Sequence, residues 1–266
     1  MEGSIFRRAG AGCAVVGLLL GACTLSIAPY RGEAPAAVDQ GGDQGFDAKI
    51  HDYILSHPDV LAEAQRAQAA KLAAERQIQG RRALTENRAA LFTDPADPVL
   101  GNAAGDVTIV AVTDYQCPYC KALTPTLDQL LAADPGIRLV TKEFPILGPG
   151  SEIAARYALA SLRQGKYAAF HAALMADRTP EHQLDEARVQ AIAAAVGLDL
   201  ARLRADAAAP EIAAQIAANR TLAQKLGIGG TPGLIVGDQI QGGALSLDQL
   251  KSAVAAARTK RTASAP

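Results

Sequence analysis

Apolar positions along the chain follow two rhythms. Residues 107–112 and 137–144 are short runs rich in β-branched side chains, bounded by turn residues, and read as buried strands. Between them Leu123, Leu127, Leu130 and Leu131 recur at helical spacing, so the strands flank a helix with one apolar face. Residues 151–226 keep the helical rhythm almost throughout. Ile153, Ala154, Tyr157 and Ala158 form one stripe. Val189, Ile192, Ala193 and Val196 form a second, closed by Gly197, and Ile212, Ile216, Leu222 and Leu226 a third, closed by Gly227. Extended structure returns at 234–236 and 239–240, which predict a hairpin around Gly237-Asp238. Ser246 with Gln249 three residues on is a capping-box pattern, and Leu247, Leu250 and Val254 give a last helix its buried face. The succession predicts an α/β domain over 93–258 with a helical insertion at about 151–226 and a polar tail at 259–266.

Upstream the pattern weakens. Residues 46–92 also read as helix, broken at Pro58, but between 62 and 91 only Leu72, Ile78, Leu84 and Leu91 are large and apolar. Such a helix is too weakly apolar for the core of the main domain. It reads as a solvated stalk or as a helix that associates with copies of itself. Residues 28–45 are rich in Pro, Gly and Ala without a period and read as a linker. Residues 1–27 have the layout of an export signal, with Arg7 and Arg8 ahead of an apolar run from Ala9 to Ala22. Three fates fit this segment: cleavage at Leu20-Gly21-Ala22-Cys23 with lipid on Cys23, cleavage after Ala34-Pro35-Ala36, or retention as a membrane anchor. Each places the remainder in the periplasm or cell envelope.

Composition removes some functions. A net charge of −1 over 266 residues, no Trp and only 4% aromatic residues argue against a nucleic-acid partner. Of the four cysteines, Cys13 and Cys23 fall in the leader, so the main domain keeps only Cys117 and Cys120. A disulfide between them closes too short a loop to stabilise much by chain entropy, which points to redox chemistry. Cys117-Pro118-Tyr119-Cys120 sits where a strand turns into a helix, with Cys117 at the helix N-terminus and Pro118 near the first helical position. Unpaired N–H groups and the helix dipole there favour a thiolate on Cys117. Cys120, one turn further in, is placed to attack a mixed disulfide on it. The reading is a dithiol–disulfide switch with its thiolate at the surface.

A zinc site would need two more ligands, and His51, His57, His171 and His182 are not spaced as a second pair. No metal is expected, and no cofactor beyond the Cys117–Cys120 disulfide. His171 and His182 read as surface residues and Lys121 as solvated. Tyr157, Tyr167 and Phe170 read as core of the helical block.

Three motifs carry a resemblance: residues 114–120 (Asp-Tyr-Gln-Cys-Pro-Tyr-Cys), residues 142–148 (Lys-Glu-Phe-Pro-Ile-Leu-Gly) and Gly230-Thr231-Pro232 followed by residues 234–237. Together, over about 105–258, they resemble a thioredoxin fold with the helical insertion of the DsbA family of thiol:disulfide oxidoreductases. The helix at 46–92 resembles the N-terminal extension of the suppressor-of-copper-sensitivity (ScsC-like) branch, some of whose members oligomerise through it. The resemblance implies that Cys117 attacks and Cys120 resolves, and that Pro118 and Tyr119 tune the reduction potential. It also implies that Pro232 is cis beside the active site, and that Thr231 offers backbone hydrogen bonds to a substrate strand.

One position departs from the family pattern. An acidic residue usually stands six places before the first cysteine, and here that place is Ala111. Lys142 or Glu143, at the end of the neighbouring strand, is expected to take over part of the proton transfer. The implied partners are cysteine-containing exported proteins, a membrane thiol oxidase or reductase, and other copies of the chain through 46–92. Whether the direction is oxidation or isomerisation stays open. The rival readings are a cytosolic glutaredoxin-like transferase, against which the leader and the helical insertion speak, and a redox-inert scaffold or one holding Cu(I) between the two thiolates.

Overall fold

In a computed structural model the described residues are 44–263. The predicted leader at 1–27, and the linker up to residue 43, lie outside them. The described residues divide into two units, one up to residue 62 and one from residue 63 on. In the first, α1 (Gln44–Ser56) is followed by the start of α2 (Pro58–Glu86). Here Phe46, Ile50, Tyr53 and Ile54 are exposed, and they share one face at i, i+4, i+7, i+8.

The second unit is built on a five-stranded sheet. Its strands are β1 (Val99–Gly101), β2 (Val107–Thr113), β3 (Ile137–Glu143), β4 (Gly233–Val236) and β5 (Gln239–Gly242), in the order β1-β3-β2-β4-β5. Only β2 and β3 run parallel; they register Val107 with Ile137 and Thr113 with Glu143. The connection between them is α4 (Pro118–Ala133), whose Leu123, Leu127 and Leu130 pack on the odd-numbered face of the sheet with Ile109, Ala111 and Leu139. Against the same face lies α10 (Leu247–Ala263). The even-numbered face, with Val110, Val112 and Val140, is covered by α9 (Pro210–Lys225) and α3 (Arg88–Phe92). Between β3 and α9 come α5 (Pro149–Ser161), α6 (Tyr167–Ala176), α7 (Glu186–Ala195) and α8 (Leu200–Ala207), with a core of their own around Phe170, Leu174 and Leu203.

Three features differ from the sequence reading. The helical extension is not wholly outside the core: Leu84 and Leu91 are buried with Leu222 and Leu226. Two well-spaced leucines suffice, because the sheet supplies the rest of the apolar surface. The short edge strand β1 has no counterpart in the sequence reading; a three-residue strand leaves no periodic signal. The residues read as a polar tail continue α10 to Ala263. Side chains tether those turns: Arg258 reaches Asp106 and Asp134, and Lys260 reaches Asp238.

Candidate active site

The turn from β2 into α4 is held by Asp114. One carboxylate oxygen accepts from the Gln116 N–H at 2.8 Å and from the Ser151 hydroxyl at 2.6 Å; the other accepts from the N–H groups of Ile146 and Leu147. Gln116 adds a second tie, donating to the Leu147 carbonyl and accepting from the Leu184 N–H. These bonds fasten the turn to the start of the helical insertion. Gly150 lies within it, where an added Cβ would sit 2.0 Å from the Leu184 carbonyl oxygen, so no side chain fits.

Cys117 is the N-cap of α4 and Pro118 follows at the first helical position. The Cys120 N–H donates to the Cys117 sulfur at 3.4 Å, and the Cys117 sulfur lies 3.2 Å from the Thr231 carbonyl. The Thr231–Pro232 bond is cis. Both cysteines are free thiols. Cys117 is buried rather than at the surface, since the Thr231 carbonyl sits against it; what the motif exposes is Pro118 and Tyr119, the latter to 67%. The thiol of Cys117 is pushed down to about 6, first by the hydrogen bond from Cys120 and also by the N–H groups of Cys120 and Tyr119, with burial opposing. The Cys120 thiol moves the other way, because it donates to Cys117 and is buried. One sulfur is therefore ready to attack at neutral pH while the other holds its proton.

The remaining residues predicted for the site separate. Lys142 points to the even-numbered face, away from Cys120, where its ammonium meets Asp97 and donates to the Ala90 carbonyl at 2.6 Å. Register decides this: neighbours on a strand face opposite ways, so only one of Lys142 and Glu143 can look toward α4. Glu143 does look that way and is fully buried. One of its oxygens accepts from the hydroxyls of Tyr115 and Tyr167, each at 2.8 Å, and the other has no partner. Burial lifts its carboxyl to about 8, against the pull of the two tyrosines.

His171 is not at the surface. It is buried on α6, its Nδ1 lies 2.9 Å from the Tyr115 hydroxyl, and burial drops its pKa to about 4. A histidine on an otherwise apolar helix carries no sequence signal of a buried partner 56 residues away. Lys121 is half-buried rather than solvated, donating to the Asp177 carbonyl at 2.8 Å. Tyr157, Tyr167 and Phe170 are buried, but the hydroxyl of Tyr167 belongs to the Glu143 cluster. Among the described residues no three His, Cys, Asp or Glu side chains are grouped to hold a metal.

A parallel pair of strands joined by a helix that a CxxC motif opens, a cis-proline against the first sulfur and a helical block between β3 and β4 match one family. Its model, a DSBA-like thioredoxin domain, covers residues 108–255. This chain belongs to that family. Among solved structures, the DsbA-like chain is 50% identical to a thioredoxin-like oxidoreductase from Silicibacter pomeroyi, with a TM-score of 0.63 over 65% of this chain and 98% of that one. It is 30% identical to the thiol-disulfide exchange protein alpha-DsbA2 of Wolbachia pipientis, with a TM-score of 0.63 over 68% and 97%. To Proteus mirabilis ScsC in a compact conformation it is also 30% identical, with a TM-score of 0.61 over 82% of this chain and 99% of the other. Its structural neighbours are thus ScsC- and DsbA-like thiol–disulfide proteins. Among curated proteins it is 30% identical over 169 residues to the Na(+)/H(+) antiporter NhaA 3 of Salinispora tropica, over 61% of this chain. The chain spans about a quarter of the length of the curated relatives it matches.

Proposed function

We propose that this chain is an exported thiol:disulfide oxidoreductase that works through Cys117 and Cys120. The observation that carries the reading is the split between the two sulfurs, one stabilised as thiolate at a helix N-cap and the other held as thiol beneath it. The Cys117 thiolate attacks one sulfur of a client disulfide, and the other client sulfur leaves as thiolate. Cys120 then loses its proton, attacks Cys117 and expels the second client thiolate, leaving the Cys117–Cys120 disulfide and a client reduced by two electrons. Run backwards, the same steps oxidise a client dithiol. Thr231 and cis-Pro232 border the attacking sulfur, where a client strand would lie, and the exposed Tyr119 would meet it. A membrane thiol oxidase or reductase would reset the pair.

The reading is tested by titrating the Cys117 thiolate at 240 nm and measuring the reduction potential of the pair. The expected results are an inflection near pH 6 and turnover in insulin reduction. A strongly oxidising potential assigns the chain to oxidation, and a lower one with refolding of scrambled ribonuclease assigns it to isomerisation. An ordinary high-pKa thiol with no turnover in either assay overturns the proposal and leaves the scaffold or Cu(I)-binding reading.

Export and self-association complete the proposal. The supports are the Arg-led apolar run of residues 7–22 and the exposed stripe of Phe46, Ile50, Tyr53 and Ile54 on α1. No helix among the described residues is long and apolar enough to cross a membrane. Native mass spectrometry of the chain recovered from the envelope of its producing cell should show a shortened N-terminus and a multiple of the chain mass. A monomer with Met1 intact, found in the soluble cytosolic fraction, would refute both points.

A further inference from the structure

A small cavity of about 30 Å³ lies against Cys120, lined by Ala111, Thr113, Thr141, His171 and Pro232 among others. Most of its wall is apolar, but Thr113, Thr141, His171 and the Cys120 sulfur supply polar partners, and its volume admits one water molecule. Two of its lining residues, His171 and Thr141, belong to a buried cluster that the exchange steps above leave unused. The hydrogen bonds of that cluster have a direction. The Tyr115 hydroxyl donates to Glu143, so it must accept from His171, whose Nδ1 therefore carries the proton. That leaves Nε2 of the neutral imidazole as a bare acceptor. The Tyr167 hydroxyl also donates to Glu143 and accepts from Thr141.

We propose that the Cys120 proton passes through a water in this cavity to His171 Nε2 and on through Tyr115 to Glu143, which acts as the proton store of the active site. The inference rests on the oxidoreductase reading above. When the resolving step runs, Cys120 gives its proton to the water and the water gives one to Nε2. Nδ1 then passes one to the Tyr115 oxygen, and the Tyr115 hydroxyl passes one to the Glu143 carboxylate. The Cys120 thiolate forms its bond to Cys117 and the client sulfur leaves with the electron pair. In the opposite direction Glu143 returns the proton to Cys120.

The surroundings suit the role. With no carboxylate at Ala111, β2 offers no acid beneath Cys120. The titratable groups facing Cys120 are Cys117, His171 on α6 and Asp128 on α4, an exposed carboxylate that lines the same cavity; Thr113 on β2 also contacts it. Glu143 faces Tyr115 and Tyr167, beyond which stands His171, and feels the charge of Asp114, while Asn219 on α9 binds only its backbone carbonyl. A carboxyl lifted to about 8 is mostly protonated at neutral pH and takes up the Cys120 proton once it ionises, so resolution by this route speeds up as the pH rises through that value.

Stopped-flow reaction of the reduced full chain with Ellman's reagent separates the two steps. The first release of thionitrobenzoate reports attack by Cys117, and the second reports resolution by Cys120. In the wild type the second phase should rise with an inflection near pH 8. Glu143→Gln keeps an oxygen that accepts from both tyrosines; it should leave the first phase intact, erase the inflection and slow the second phase about tenfold or more above that pH. Tyr115→Phe should do the same, Glu143→Asp should restore an inflection, and Asp128→Asn should behave as wild type. A merely structural role would move both phases together. The relay is overturned if Glu143→Gln keeps the wild-type pH profile, or if Asp128→Asn abolishes it. Absence of a first phase in the wild type would bring down the oxidoreductase reading, and the relay with it.

Discussion

Cys117→Ser should lower the rate of insulin reduction by at least about a thousandfold, to the uncatalysed background, while Cys120→Ser should stop each cycle halfway. The difference follows from the geometry. Cys117 carries the nucleophile, and a serine hydroxyl at the same N-cap is neither ionised near neutral pH nor able to form an exchangeable bond to sulfur. Cys120 donates to that nucleophile, and a serine hydroxyl can donate in its place. The Cys120→Ser protein should therefore still attack, and it should accumulate a mixed disulfide with its client that survives non-reducing electrophoresis. Cys120→Ala removes the donor that does most to lower the Cys117 pKa, so its attack should weaken near pH 7 and recover as the pH rises. A Cys117→Ser protein within tenfold of wild type would exclude Cys117 as the attacking group.

Lys142→Met should cost about 3–5 kcal/mol of stability with the exchange rate per folded molecule unchanged. Lys142 is 2% exposed, and its ammonium is the charge partner of Asp97, which is buried where α3 and β1 meet the sheet. Without it the Asp97 carboxylate would sit in the interior with no opposite charge. For a domain of this size that cost corresponds to a fall in Tm of roughly 6–20 °C. The loss should depend on pH. Burial lifts the Asp97 carboxyl to about 6 despite Lys142, and losing Lys142 would lift it further. A raised folded-state pKa contributes its stability below the unfolded value near 4 and loses it as pH rises through the folded value. The deficit should accordingly shrink toward pH 5, where Asp97 is protonated, and be full at pH 8. Asp97→Leu in the same chain should recover most of the stability, because an apolar pair replaces two buried charges. Melts of the three proteins at the two pH values check this; a single mutant melting within about two degrees of wild type at pH 8 would show that the pair carries no such weight.

Local signals in the chain were enough for the frame of the molecule. The β-branched runs, the leucine spacing after Cys120, the Gly237-Asp238 turn and the Ser246–Gln249 cap each depend on residues within a few positions, and each appears in the structure. The N-cap position of Cys117 was legible for the same reason. Pairings across long separations were not. Asp97 finds Lys142, and Tyr115 finds both Glu143 and His171, only after the sheet and α6 come together. Strand alternation could have separated Lys142 from Glu143, since adjacent residues on a strand cannot both face α4. Nothing local could have shown that the Thr231 carbonyl covers the Cys117 sulfur, because the two residues are 114 positions apart.

The helical insertion carries a consequence for anyone building chimeras of these proteins. His171 and Tyr167 come from α6, yet they contact Tyr115 and Glu143 of the parent fold, and Ser151 at the head of α5 grips Asp114. Grafting the block from a relative, or trimming it to a minimal thioredoxin, would strand an acidic side chain in an apolar interior and unlatch the redox turn. The block and its host must be exchanged as a matched set, with residues 114–115 and 143 carried along.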